Sequence, residues 1–203
     1  AQEDDNWAVR SAAVQELAKG WKDDPDTLPW LKSRVQEDDN WAVRSAAVQE
    51  LAKGWKDDPD TLPILKSRAQ EDDNGDVRRA AVQELAKGWK DDPDTLPILK
   101  SRAQEDDNWY VRRAAVQELA KGWKDDLSLL EFWRDRTLQD SFKRKYRYQD
   151  NPRQIALKVL TTQYPNDPKT EALLHDRAQN DNDEKLREWA TKQLEKRQKQ
   201  SSS

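Results

Sequence analysis

A period of 34 residues constrains the fold of this chain more than any other feature of its sequence. Residues 1–34 recur at 35–68 with two changes, and again at 69–102 with a handful more. A fourth copy, 103–136, keeps the first part of the repeated sequence and then diverges. A fixed period of this length is typical of repeat proteins, in which each unit stacks only on its neighbours.

The last third of the chain departs from the period in two ways. Residues 137–177 keep the frame of the repeat through Pro152 and Arg153, but they carry a seven-residue insertion around "SFKRKYRYQ". Residues 178–203 hold one helix of a unit and end in polar residues. We therefore expect four near-identical repeats over 1–136, a divergent fifth repeat over 137–177, and a capping half-repeat with a polar tail over 178–203.

The first half of each repeat predicts a helix. In the first copy, Val9, Ala13 and Leu17 follow one another at intervals of four residues, which places them on one helical face. Asn6 or the aspartate before it can cap the start of this helix. Gly20 stands where a helix commonly ends in the left-handed conformation, so we expect a glycine C-cap there.

The second half of each repeat predicts another helix, and the sequence "DDPDTLP" is typical of its start. Asp26 is the expected N-cap, and it places Pro29 in the first turn, where the missing N–H costs nothing. Trp30, Leu31 and Val35 then form an apolar stripe. The chain is therefore expected to be an all-α protein, an α-solenoid built from stacked helix pairs.

The first helix of the unit resembles a known family of repeats. The pair "VR" followed by "AAVQEL" is similar to the second helix of a HEAT repeat in its short, HEAT-like form. The resemblance implies a right-handed superhelix whose Val-Arg helices line the concave face. It also implies that the repeated arginines pair with aspartates of neighbouring units, which concerns Arg10, Arg44, Arg78 and Arg112.

A longer stretch resembles a particular group of HEAT-like arrays. "KGWKDDPDTLPILKSRAQEDDN" is similar to the arrays at the C-terminus of prokaryotic NACHT-type (STAND) NTPases. That resemblance implies a non-catalytic sensor or autoinhibitory module of a larger signalling NTPase. The chain begins at Ala1 within its own repeat, so we expect it to be a piece of a longer protein, or an engineered product.

The amino-acid composition excludes several classes of function. The chain has 36 Lys and Arg against 40 Asp and Glu, so its net charge is −4, and both signs are interspersed along the sequence. Such a charge distribution does not indicate a surface that attracts nucleic acids or membranes as a whole. The absence of cysteine excludes disulfides and thiolate chemistry. No apolar run is long enough for a bilayer span or a secretory signal, so no membrane partner and a cytoplasmic location are expected.

No set of residues predicts catalysis. The only histidine, His175, falls in register with the lysines at positions 32, 66 and 100, an expected surface position. The repeated "DDPD" lacks the spacing, the central glycine and the distal glutamate of an EF-hand loop, and helix capping explains it without a metal. We therefore expect neither an enzyme nor a cofactor nor a metal site.

The strongest functional signal is where the repeats differ. In the first helix of the four similar units, the differences fall at three offsets only. The first and third offsets are four residues apart and share a helical face. The residues concerned are Trp7, Trp41, Gly75 and Trp109; Ala8, Ala42, Asp76 and Tyr110; and Ser11, Ser45, Arg79 and Arg113.

These positions predict a ligand-binding strip for a protein or peptide, because tryptophan and arginine often anchor interfaces. The candidate contact residues are Trp7, Trp41, Gly75, Asp76, Arg79, Trp109, Tyr110 and Arg113. Gly75 would leave a notch between the neighbouring tryptophans that a ligand side chain could enter. Neutral drift among recent duplicates is the alternative explanation of the same differences.

The insertion supports a second kind of partner. Lys143, Arg144, Lys145, Tyr146, Arg147 and Tyr148 interleave basic and aromatic side chains, a combination that grips phosphates and stacks bases. Nucleic-acid binding through 142–148 is therefore one alternative function, and a solvated loop is the other interpretation of the segment.

Two further alternatives concern the whole array. The near-identity of the first three units is also typical of a structural or engineered scaffold with no ligand of its own. The N-terminal face has no preceding helix in this chain to cover it, so a stacked homodimer through that face is expected.

Overall fold

The computed structural model describes residues 4–124 and 126–201, and these are all-helical, without a strand. Eleven α-helices follow one another in this part of the chain, with one 3-10 helix at Leu127–Leu129 before the eighth. The α-helices are α1 Trp7–Gly20, α2 Thr27–Glu37, α3 Trp41–Gly54, α4 Thr61–Glu71, α5 Gly75–Gly88, α6 Thr95–Glu105, α7 Trp109–Gly122, α8 Leu130–Gln139, α9 Pro152–Gln163, α10 Pro168–Asn180 and α11 Glu184–Ser201.

The chain forms two compact units. The first spans Ala1–Gly122 and contains α1 to α7, and the second spans Trp123–Ser203 and contains α8 to α11. The boundary follows the Val-Arg helix of the fourth copy. The repeat boundaries at 136 and 177 stay a prediction from the sequence.

In the first unit, the odd-numbered helices form one layer, since α1 packs on α3, α3 on α5 and α5 on α7. Each even-numbered helix packs on the odd-numbered helix that follows it, as α2 does on α3. Val43, Ala47 and Leu51 on α3 are fully buried by this stacking, and so is Leu65 on α4. The predicted α-solenoid of helix pairs is confirmed.

The second unit continues the same pairing, with α8 packed on α9 and α10 on α11. Leu157, Leu174, Leu186 and Ala190 form its buried apolar cluster. His175 lies exposed on α10, as the repeat register predicts.

Asparagine side chains cap the N-termini of the odd-numbered helices. Asn6 Oδ1 accepts the Ala8 N–H at 2.9 Å, and Asn74 Oδ1 accepts the Asp76 N–H at 2.8 Å. These bonds satisfy amide donors that a helix leaves without a partner at its start. The predicted Asn cap is therefore present.

The expected left-handed glycine cap is wrong. Gly20 is the last helical residue, and Trp21 follows as the cap, its N–H bonded to the Leu17 carbonyl at 2.9 Å. No residue in the described ranges has a positive φ. The helix simply continues through the glycine.

A row of buried ion pairs joins successive repeats. Arg44 Nε and Nη2 bond to the two carboxylate oxygens of Asp72 at 3.0 and 2.8 Å, and Nη1 donates to the Asp38 carbonyl at 2.9 Å. The pairs Arg10–Asp38, Arg78–Asp106 and Arg153–Asp181 have the same form. The predicted pairing is confirmed for Arg10, Arg44 and Arg78, and the Arg153 pair was not predicted. Arg112 makes the same carbonyl contact as Arg44, to Asp106 at 2.8 Å.

These contacts change the ionisation of the aspartates. Burial acts to raise the pKa of Asp72, but the hydrogen bonds from Arg44 and from the Asn74 N–H outweigh it, so the pKa is lowered. The pKa values of Asp38 and Asp106 are lowered for the same reasons. The ladder therefore consists of charged groups over the ordinary pH range.

A second set of ion pairs uses the "DDPD" sequence. Lys32 Nζ lies 2.7 Å from Asp58 Oδ1 and 2.8 Å from Asp60 Oδ2, and Lys66 holds Asp92 and Asp94 at the same distances. Partial burial acts to lower the pKa of Lys32, but these hydrogen bonds outweigh it and raise the pKa. The aspartates thus bind a lysine of the preceding repeat. The predicted capping by Asp26 is wrong, because the side chains of Asp26, Asp60 and Asp94 make no capping hydrogen bond to the helices that follow them.

The ladder predicts a large difference between two adjacent aspartates. Asp72 and Asp73 both contact the Arg44 guanidinium, but their side chains are 1% and 88% exposed. Asp72→Ala strands a buried charge and should lower the free energy of unfolding by about 3 kcal/mol or more. Asp73→Ala removes an exposed partner and should cost about 1 kcal/mol at most. Urea unfolding followed by circular dichroism measures both, and equal losses would contradict the buried ladder.

The pKa shifts also predict the pH dependence of stability. The lowered pKa of Asp38, Asp72 and Asp106 means that their stabilisation is complete above the unfolded value of about 3.9 and is lost as pH falls through the folded values. The raised pKa of Lys32 and Lys66 means that theirs is lost only above about 10.4. Burial raises the pKa of Glu118, so this carboxyl stabilises the fold at the acid end and not at higher pH. The urea midpoint should therefore not fall between about pH 10 and 5. A steep fall between pH 7 and 5 would show that other groups control stability.

Candidate functional site

The positions that differ between repeats lie on the solvent side of the odd-numbered helices. None of the residues at the three variable offsets is buried in α1, α3, α5 or α7. Trp41 is 45% exposed, whereas Val43 and Ala47 on other faces of α3 are fully buried. The glutamines that continue the strip, Gln15, Gln49, Gln83 and Gln117, are not buried either. All variation within these helices is therefore at surface positions.

The chemistry of this strip changes along the array. Trp7 and Trp41 are large exposed indoles on α1 and α3. On α5 the strip is polar, because Arg79 Nη2 pairs with Asp76 Oδ1 at 3.0 Å. On α7 it is aromatic again, and the Trp109 and Tyr110 rings lie with centroids 3.7 Å apart. The strip thus offers apolar, charged and aromatic contacts in turn.

The predicted notch at Gly75 is not open. A Cβ atom built on Gly75 would lie 2.8 Å from Cγ of Asn108, so the Asn108 side chain takes the space that a side chain at position 75 would need. Asn108 Oδ1 also accepts the Tyr110 N–H at 2.9 Å, at the start of α7. Gly75 therefore marks a close approach between two helix starts rather than a cleft for a ligand side chain.

The insertion is a folded loop between α8 and α9. Phe142 is buried, and Gln149 Oε1 accepts the N–H groups of Lys145 and Tyr146 at 2.7 and 3.0 Å. Arg144 Nε bonds to Asp183 Oδ2 at 2.9 Å, at the start of α11. Arg144 is thus a structural anchor of the loop, and its role as a contact residue stays a prediction.

The outer side of this loop carries the other predicted residues. Lys143, Lys145 and Arg147 are exposed, and the exposed rings of Tyr146 and Tyr148 are stacked, 5.5 Å apart and 3° from parallel. The loop and the first turns of α11 enclose an open groove of about 710 Å³. Glu184 and Glu188 line its opposite side, so the groove has mixed charge.

Sequence reasoning missed Gln149, the buried residue that shapes the loop. Its neighbours in the sequence are basic and aromatic, and the insertion has no counterpart in the other repeats with which it could be compared. A single buried glutamine leaves no periodic signal.

Comparison with known proteins shows the family. The family model described as HEAT repeats matches residues 1–86 and, in a second match, residues 54–120. These matches cover more than half of the 203 residues, and the chain belongs to the HEAT repeat family. No curated protein and no solved structure shows a significant match to the chain.

The family and the described residues give coarse limits on function. HEAT repeats are typically non-enzymatic and commonly mediate protein interactions. Within 4–124 and 126–201, no group of three or more His, Asp or Glu side chains is arranged to hold a metal ion. In the same part of the chain, every helix is too short or too polar to cross a membrane.

Proposed function

We propose that the first unit is a recognition module that binds a protein or peptide through the strip on its odd-numbered helices. The observation that carries the proposal is the separation of variable from constant positions. Within the odd-numbered helices, buried residues such as Val43, Val77 and Val111 are identical and every residue that differs is outside the core. In the even-numbered helices, by contrast, buried positions also differ, as Val35 and Ala69 do. The strip also concentrates tryptophan and arginine, the residues that most often dominate binding energy.

The proposed geometry is a row of parallel helices whose strips lie side by side. Packed helices lie roughly 8–10 Å apart, so an extended peptide or the face of a partner helix could reach Trp41, Arg79 and Trp109 in succession. We place this surface on the concave side of the solenoid, as the HEAT resemblance implies. Large exposed indoles held on a rigid layer lose little freedom on binding, which favours affinity.

The wider proposal concerns the biological setting. The resemblance to NACHT-type arrays supports a role as the sensor part of a signalling NTPase, in which a ligand shifts the parent between off and on states. It requires a Walker-type nucleotide-binding loop encoded upstream of Ala1, and a stop codon or a tag there would exclude it.

A random-peptide display library, selected against the whole chain, tests the strip. Enriched peptides should bind the wild type, and Trp41→Ala or Arg79→Ala should each weaken binding about tenfold or more, as hot-spot truncations do. Trp21→Ala is the matched control, since Trp21 is also exposed but lies outside the strip. Peptides that tolerate both strip variants, or a library that yields none, would contradict the proposal. Circular dichroism confirms that each variant is folded.

A second candidate function is single-stranded nucleic-acid binding by the loop of the second unit. The stacked pair Tyr146 and Tyr148 favours it, because an exposed aromatic face flanked by Lys143, Lys145 and Arg147 can stack a base while the cations hold phosphates. Since Arg144 anchors the loop through Asp183, it is not a suitable test residue.

A labelled mixed-sequence oligonucleotide and the whole chain test this candidate. Affinity should fall with salt, with a slope of about 0.7 per phosphate contacted, and both Lys143→Ala and Tyr148→Ala should weaken binding. Lys169→Ala, an exposed lysine on α10, is the control. Polyglutamate binding with the same strength, unaffected by Tyr148→Ala, would reassign the loop to acidic peptides.

A further inference from the structure

The groove beside the insertion has two walls of opposite charge. The loop contributes Lys143, Lys145 and Arg147, and the first turns of α11 contribute Glu184 and Glu188. The two glutamates are four residues apart on α11, so they share one face of this helix. The groove volume of about 710 Å³ is in the range of clefts that bind ligands.

Hydrogen bonds between the loop and α11 hold the two walls in place. Arg144 Nε and Nη2 bond to the two carboxylate oxygens of Asp183 at 2.9 and 3.2 Å, and Asp183 Oδ1 also accepts the Leu186 N–H at 3.1 Å. Towards the tip of the loop, Lys185 Nζ donates to the Arg147 carbonyl. The loop is therefore fixed on α11 by its own contacts, and a fixed site loses little freedom when a ligand binds.

The charged side chains of the walls stay outside this network. Within residues 4–124 and 126–201, no ion pair joins Glu184, Glu188, Lys143 or Lys145 to a side chain of opposite charge, and all four are exposed. Arg144 and Asp183 neutralise each other. The charged groups that remain in the lining are four cations and two carboxylates, namely Lys143, Lys145, Arg147 and Lys185 against Glu184 and Glu188. The groove thus attracts an anion on one side and accepts hydrogen bonds on the other.

A nucleotide matches both walls, whereas a simple anion matches only one. An acidic peptide or a free phosphate finds cations at the loop but meets like charge at Glu184 and Glu188. In a nucleotide, the phosphate can lie at the loop while the base places hydrogen-bond donors at the carboxylates. Carboxylates accept from the amino group of cytosine, and lysines hold phosphates as point charges. The exposed Tyr146 ring also lines the groove, and a base can stack on it.

We propose that Glu184 and Glu188 read the base in this groove and select nucleotides whose base carries an exocyclic amino group, so that cytosine is bound in preference to uracil. This inference rests on the second candidate function, single-stranded nucleic-acid binding by the loop. Uracil presents a carbonyl oxygen where cytosine presents its amino group, so a carboxylate that accepts a hydrogen bond from cytosine faces another acceptor in uracil. The cations supply affinity for any sequence, and the two glutamates supply the preference.

Two labelled oligonucleotides that differ only in the base test the preference. Oligo-deoxycytidine and oligo-deoxyuridine of about ten nucleotides each are titrated with the whole chain at neutral pH, and binding is followed by fluorescence anisotropy. Oligo-deoxycytidine should bind about tenfold more tightly, as expected of one good hydrogen-bonded base contact. Stacking on an aromatic ring tolerates any base, so Tyr146 and the phosphate contacts should not produce this difference by themselves.

The double variant Glu184→Gln, Glu188→Gln separates base reading from charge. A glutamine amide can donate to the uracil carbonyl as well as accept from cytosine, so the preference should disappear. The loss of two carboxylates beside the cations should at the same time raise the affinity for oligo-deoxyuridine. Glu195→Gln is the matched control, because Glu195 is an exposed glutamate of α11 that does not line the groove, and it should leave the preference unchanged. Circular dichroism confirms that each variant is folded.

The outcomes separate this inference from the function on which it rests. Equal affinity of the wild type for both oligonucleotides would overturn base reading and leave nucleic-acid binding by the loop intact. A preference for cytosine that persists in the double variant would assign the preference to other residues and would also overturn the inference. No binding of either oligonucleotide would contradict the second candidate function itself, and the inference with it.

Discussion

The structure depends on the buried ion pair between an arginine of one repeat and an aspartate of the next. Arg44 links two repeats, because its guanidinium bonds to both carboxylate oxygens of Asp72 and to the Asp38 carbonyl just before its own helix. A guanidinium is planar and presents fixed donors, so this arrangement sets the relative position of two repeats as well as their separation. Apolar burial alone would allow the helices to slide.

Such pairs are costly to break and are not necessarily a large source of net stability. Taking two charges out of water offsets much of their attraction, and a well-packed apolar pair of the same volume can be as stable. What such a pair provides is a defined register, because each bidentate bond fixes how one repeat is positioned on the next. Repetition of the same pair at 28-residue separation in both units is consistent with this role.

Much of this fold could be predicted because the same local sequence signals occur in several copies of the repeat. The helix pairs, the asparagine caps and the arginine ladder recur in every similar copy. The prediction of a left-handed glycine cap was wrong because it rested on a local preference alone. In the structure Gly20 stays helical, and the Trp21 N–H forms the next helical hydrogen bond, to the Leu17 carbonyl. The Lys32 contact to Asp58 and Asp60 was missed because the sequence analysis assigned these aspartates to helix capping, which the Asp60 side chain does not provide.

The candidate sites were harder to predict for a physical reason. The strip could be found from internal differences, but the closeness of Asn108 to Gly75 depends on how two helix starts meet, and no propensity reports that. The insertion occurs once, so its anchors could not be separated from its exposed residues by comparison. Arg144 and its partner Asp183 lie 39 residues apart in the sequence and become neighbours only in the folded unit.

The ladder also makes each repeat directional. One side of a unit carries the donors Arg10, Lys22 and Lys32, and the side that receives them carries carboxylates and a tryptophan ring. Two sides of the same kind therefore repel each other or leave charges without partners. A donor side placed against an acceptor side gives every charged group a partner. This is specificity by penalty as well as by attraction, because a wrong orientation strands several charges at once. Near-identical units that could otherwise stack in either sense are thus held to a single order, which is what a long array of similar repeats needs in order to fold to one structure.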